Sequence, residues 1–189
     1  MGEEEMSYDL STELLDAVQK ASDVDKLATD IAEAVAGKEG KEAEEAAGSV
    51  FSGFGKAWME TALELGEKHS DQTYEVLKQA AEKTSMLRFP HVAQRFVEIA
   101  HLAIQPFREM DIVENNSSRL VYRIGECAIH GAVSTRCGEA VAKSMACRQA
   151  CLTGLDTLFG KLDIKAGIDM TASMVPDGHC EFVAQAPAG

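Results

Sequence analysis

The sequence predicts an α+β protein in which an amino-terminal helical region is followed by helices packed on a small antiparallel sheet. Three observations predict it. Apolar residues recur at three- and four-residue spacing from Leu10 to Ile104. The period falls to two at Leu120–Ile124 and again at Ile164–Ala172. Pro176-Asp177-Gly178 then reads as a tight turn before Cys180–Gln185.

Composition narrows the classes of function. A chain of 189 residues can bury a core of its own, so no metal or disulfide is required to hold it together. The net charge is −13, and residues 1–50 carry 14 acidic against 4 basic side chains, so most of the negative charge lies in that stretch. We divide the chain accordingly into an acidic helical extension, 1–50, and an α+β domain, 51–189, with 117–185 its most distinctive part. Such acidity argues against nucleic acid and an anionic membrane surface as partners, since both would repel it. No run of 18 apolar residues occurs and no segment has the character of a secretion signal, so a cytoplasmic location is expected. In a reducing compartment the five cysteines are expected to be structural, metal-bound or catalytic rather than paired.

Taken in order, Leu10, Leu14, Leu15 and Val18 form the apolar face of a first helix, and Leu27, Ile31, Ala34 and Val35 that of a second. The stretch from Gly37 to Lys41 is a hinge, and the acidic run from Glu42 to Glu45 is a solvated face. Gly48, Gly53 and Gly55 accompany Phe51, Phe54 and Trp58. Glycines so spaced permit close contact between helices, and without a following lysine and serine they make no phosphate loop. Trp58, Met59, Ala62 and Leu65 continue the buried face, with Trp58 as a core anchor. Ser70 is expected to cap a helix over Asp71–Lys83. Pro90 suits the first turn of a further helix reaching Ile104, which Pro106 stops. His91 and His101, ten residues apart, lack the spacing of a helical metal pair and are read as structural.

The carboxy-terminal third holds every cysteine. Leu120, Tyr122 and Ile124 predict a strand near 119–127. Cys127 and His130, three residues apart, can bend around one ion only if two more ligands come from elsewhere. A long helix is predicted over 134–158, softly interrupted by Gly138 and Gly154. It places Cys147 and Cys151 one turn apart on one face, with Cys151 assigned to packing. An antiparallel hairpin is predicted over 163–185. Ile164, Ala166, Ile168, Met170 and Ala172 face inward there, and Lys165, Asp169, Thr171 and Ser173 outward.

Residues Gly154-Leu155-Asp156-Thr157-Leu158-Phe159-Gly160-Lys161, followed by Met170-Thr171-Ala172-Ser173-Met174-Val175-Pro176-Asp177-Gly178-His179-Cys180-Glu181-Phe182, resemble the 4-vinyl-reductase small-molecule-binding domain family. The ending is also similar to that of the L-2-amino-thiazoline-4-carboxylic acid hydrolase family. The resemblance covers about 70 carboxy-terminal residues. It implies a helical layer over a mostly antiparallel sheet with an apolar cavity between them, and, as in sensory members, zinc held by cysteines and a carboxylate. On this pattern the ligands are Cys147, Asp169 and Cys180. The remaining family cysteine falls near Ala172, which cannot coordinate, so Cys127, His130 or His179 would have to complete the set.

Three functional classes follow. The first is a binding protein for a small organic ligand, with Tyr122, Met145, Phe159 and Met170 as wall candidates and zinc as a candidate cofactor. The second is a hydrolase of a cyclic amidine carboxylate. Cys147 would be its nucleophile, activated by neighbouring Arg148, and His130 or His179 its proton carrier. The third is an assembly subunit that forms a homodimer through its amino-terminal helices. Against all three stands the plain reading that the cysteines are small core residues.

Overall fold

Side-chain caps set where the first helices begin. In the computed structural model, which describes residues 8, 10–84 and 87–187, Ser11 Oγ accepts from Leu14 N at 3.2 Å and opens α1 (Thr12–Ala21). Asp23 Oδ1 accepts from Lys26 N at 2.9 Å and opens α2 (Val24–Val35). The hinge follows as expected, with Gly37 and Gly40 at φ +70° and +54°, a region glycine occupies without strain.

The next helix, α3 (Gly40–Lys68), is the longest. Its buried residues Phe51, Gly55, Trp58, Met59, Ala62 and Gly66 follow the helical period. Trp58 is the anchor expected of it: it is buried, and its Nε1 donates to Ala100 O at 3.1 Å. Residue 50, the expected end of the acidic extension, lies inside α3. Leu14, Val18 and Ile31 join the same core cluster as Phe96, Tyr122 and Phe182. The first two helices therefore belong to the main core.

The cap of α4 (Gln72–Lys83) is Asp71, one residue beyond the expected Ser70. Asp71 Oδ1 accepts from Tyr74 N at 2.8 Å, and Oδ2 accepts from Arg95 Nε at 3.1 Å. The two carboxylate oxygens thus take one partner each, capping α4 and pairing with the guanidinium. A π-helical turn at Arg88–Val92 leads into α5 (Ala93–Ile104), which ends before Pro106 as predicted.

The sheet is fully antiparallel in the order β1 (Asp111–Asn115), β2 (Arg119–Ile124), β4 (Cys180–Gln185), β3 (Gly167–Ala172). Strand β1 was not anticipated. It has five residues and a register shift between Ile112 and Glu114, so it shows no sustained alternation. The inward parity of Ile168, Met170 and Ala172 is as expected. The loop from β3 to β4 holds a single helical turn, α9 (Met174–Asp177), and closes on Gly178 at φ +75°, ψ 3°.

The predicted helix over 134–158 is instead three helices: α6 (Ala128–Cys137), α7 (Glu139–Lys143) and α8 (Arg148–Lys161). Gly138 stands at φ +84°, ψ 167°, a conformation in practice reserved for glycine. Met145 has φ +54°, and beside it Ser144 Oγ donates to Val141 O at 2.7 Å, a hydroxyl competing with the helical ladder.

Helix α8 lies against α3 at glycines. A Cβ on Gly55 would sit 1.9 Å from Ala150 O, and one on Gly154 would sit 3.0 Å from Gly55 O. At Gly53, by contrast, a Cβ meets nothing within 4 Å. Gly55→Ala should therefore destabilise the protein by about 1–3 kcal/mol through forced separation of the two helices. Gly53→Ala should stabilise it by roughly 0.5–1 kcal/mol through helix propensity. Urea denaturation of the two variants measures both signs, and equal midpoints would contradict the close contact.

Candidate functional site

Four of the five cysteines lie at the start of β4, the cap of α6 and the first turn of α8. Cys180 opens β4 and pairs with Ile124 at the end of β2. Three residues past Ile124, Cys127 caps α6, its Sγ accepting from His130 N at 3.4 Å. Cys147 is the N-cap residue of α8 with helical backbone angles, so Cys151 follows one turn later on the same side. Cys147, Cys151 and Cys180 are buried, and all five cysteines are free thiols. Cys137 is engaged elsewhere, donating to Ala28 O at 3.6 Å.

The electrostatics bind the four into one group. Burial, and after it Cys127 and Cys180, push the Cys147 thiol up to about 12. Cys180 is likewise pushed up to about 12, by burial and then by Cys127. Burial raises Cys151 well above its ordinary value, with Cys127, Cys147 and Cys180 acting in the same direction. Burial also pushes the Cys127 thiol up. Each of the four holds its proton at neutral pH.

A buried aromatic pair adjoins this group. Tyr122 is held well above its ordinary range by burial and then by Cys151 and Cys180, so its hydroxyl borders the thiols. The same hydroxyl is 3.1 Å from His101 Nε2, and the His101 ring stands edge-on to Trp58 with centroids 4.9 Å apart. Burial lowers His101 to about 3, so the ring is neutral. Its Nδ1 has no protein hydrogen-bond partner among the described residues.

The other expected site residues fall elsewhere. Asp169 pairs with Val183, whereas Cys180 is in phase with Phe182 and Ala184. Asp169 therefore projects from the sheet face opposite Cys180, and its Oδ1 accepts from Met170 N at 2.8 Å. The set Cys147, Asp169 and Cys180 is not assembled. His179 stays at the turn, its Nδ1 donating to Asp177 O at 3.1 Å. His130 lies in α6 with its Nε2 buried and unpartnered among the described residues. Arg148 is exposed and lines a surface cleft of 540 Å³ with Glu44, Glu45 and Ser52 of α3. The expected activation of Cys147 by Arg148 is not realised, because burial overrides it and the thiol shifts upward. Of the wall candidates, Tyr122, Met145 and Phe159 are buried in the core and Met170 packs against it.

The donor chemistry of the group is four neutral sulfurs, with the Asp177 carboxylate acting on Cys180. Among the described residues no three Cys, His, Asp or Glu side chains already stand where they could hold a metal ion. No helix of the described residues is long and apolar enough to cross a membrane. No family model, curated protein or solved structure matches the chain.

The raised thiols fix a pH dependence. A group that binds its proton more tightly when folded contributes stability in full below its unfolded value, and loses it as pH rises toward the folded value. Reduced, metal-free protein should therefore lose stability as pH rises from about 9 toward 12. Between pH 9 and 10, below the ordinary range of tyrosine, the slope belongs mainly to thiols. Denaturation midpoints across this range should fall more steeply for the wild type than for the Cys147→Ala, Cys180→Ala double variant. Identical slopes would show that these thiols are not shifted.

Proposed function

We propose that the chain is a binding protein of the 4-vinyl-reductase type, and that its four-thiol cluster captures a thiophilic cation, zinc. The observation that carries this reading is that Cys127, Cys147 and Cys180 all act on the buried Cys151 thiol, so cysteines from three separate parts of the chain share one neighbourhood. Four sulfurs match the donor preference of zinc, and Cys127 and Cys151 would stand in for Asp169 and for the cysteine that Ala172 replaces. Zinc bound there would clip the start of α8 to the start of β4 and to the cap of α6. Five free thiols also suit a reducing compartment, in keeping with a cytoplasmic protein.

Catalysis is less well supported. A buried thiol raised to about 12 is a poor nucleophile at neutral pH, and Arg148 faces solvent on the α3 side. We therefore place the cyclic amidine hydrolase behind the binding role.

Zinc titration of reduced protein tests the proposal. Wild type should take up about one zinc per chain, with affinity falling as pH falls because the thiols must release their protons. Cys180→Ala and Cys151→Ala should each remove most of the uptake, whereas Cys137→Ala should retain it. Equal uptake by wild type and Cys180→Ala, or none by the wild type, would refute the assignment and leave the four thiols as packing residues.

A further inference from the structure

A second site lies in a cleft of 780 Å³ between the α1–α2 corner and the face of α6 that follows Cys127. Its α6 wall presents Ala128, Gly131, Ala132 and Thr135 at helical spacing, and Ala28 and Ile104 complete an apolar floor. A Cβ built on Gly131 meets nothing within 4 Å, so the cleft is open directly above that glycine. Ser22 lines the cleft at 3% exposure, and its Oγ has no hydrogen-bond partner among the described residues. A buried hydroxyl in this state costs about 1–3 kcal/mol unless a ligand or water satisfies it.

The charges of the cleft identify the ligand class. Lys20 and Arg136 line it, and neither forms an ion pair with another described residue. Asp23 and Asp25 line it too. The Asp23 carboxylate caps α2, and that of Asp25 has no ion-pair partner among the described residues. Two cations and two carboxylates balance around an apolar floor. An acid alone would leave the carboxylates facing it, and an amine alone would leave the cations facing it. A zwitterion matches both signs, and an aliphatic side chain of a few carbons covers the small residues of α6. From the cleft, the orphaned hydroxyl and this charge balance together, we infer that the protein binds an α-amino acid with an apolar side chain here. Lys20 and Arg136 hold the carboxylate, Asp25 the ammonium, and Ser22 Oγ donates to a carboxylate oxygen.

Amide spectra of the full-length, isotopically labelled protein test this with three probes: L-leucine, 4-methylpentanoate, which lacks the ammonium, and 3-methylbutylamine, which lacks the carboxylate. L-leucine at millimolar concentration should produce saturable shifts centred on Ser22, Gly131 and Thr135, and each single-charge analogue should bind at least about tenfold more weakly. Gly131→Leu, which adds a good helix former into open space, should abolish the shifts without lowering the melting temperature. Its zinc uptake should equal that of the wild type, so failure here and failure of the thiol site are read separately. Absence of saturable shifts with L-leucine, equal binding of the three probes, or undiminished binding by Gly131→Leu would overturn the inference.

Discussion

The contact between α3 and α8 is the constraint on which the rest of the carboxy-terminal half depends. It exists because two side chains are absent. Gly55 lets Ala150 O approach to a distance that any Cβ would forbid, and Gly154 admits Gly55 O and the Met59 side chain in return. Around this point Thr153 Oγ1 and Ser52 Oγ stand 3.3 Å apart, and Lys161 Nζ reaches Glu60 at 3.4 Å. With α8 fixed on α3, the positions of Cys147 and Cys151 follow from helical geometry. Cys180 is then placed by an independent constraint, its pairing with Ile124 in the sheet. The thiol cluster is thus the meeting of a helix set by glycines and a strand set by register.

A second fastening holds the layer beneath. Arg95 is fully buried and donates to Asp71, Gly66 O and His69 O, while its guanidinium lies 4.0 Å from the Tyr74 ring. It therefore closes the end of α3 and the start of α4 with one side chain. A buried guanidinium is tolerated only when its donors are satisfied, and here a carboxylate and two carbonyls share them. Such a residue reads as surface in a sequence, because arginine is seldom enclosed. Nothing in its local pattern marks it as interior except its place on the inward face of α5, among Phe96 and Ile99.

Periodicity and glycine chemistry account for what could be read in advance. The α+β class, Trp58, the outward parity of Asp169 and the turn at Gly178 all rest on local patterns that tertiary structure left intact. The break at Gly138 was also legible, since Arg136-Cys137-Gly138 has the form of a helix stop, but the alanine-rich flanks favoured continuity. Strand β1 was hidden by its shortness and its register shift. Cys127, Cys147 and Cys180 were recognised as candidate ligands. Asp169 was grouped with them by the family resemblance, against the outward parity that its own strand pattern gave it. Cys151, assigned to packing, is buried in the core cluster one helical turn from Cys147. The cleft beside Gly131 gave no sequence signal, because it joins residues from α1, α2, α5 and α6.

The interior chemistry decides between attack and capture. His101 and Tyr122 are neutral, and no fixed cation is among the groups acting on Cys147, Cys151 or Cys180. Catalytic thiols need the opposite environment, a resident positive charge or an open helix terminus that favours the thiolate. The backbone amides near Cys147 pull in that direction and are outweighed by burial. A cation entering the group reverses the balance, because the burial that penalises a lone thiolate also strengthens its attraction to a positive ion. On the proposed reading, such a group of protonated sulfurs responds to a metal rather than attacking a substrate. The segments that carry the sulfurs, the cap of α6, the first turn of α8 and the start of β4, are the ones whose relative positions such a response would tighten.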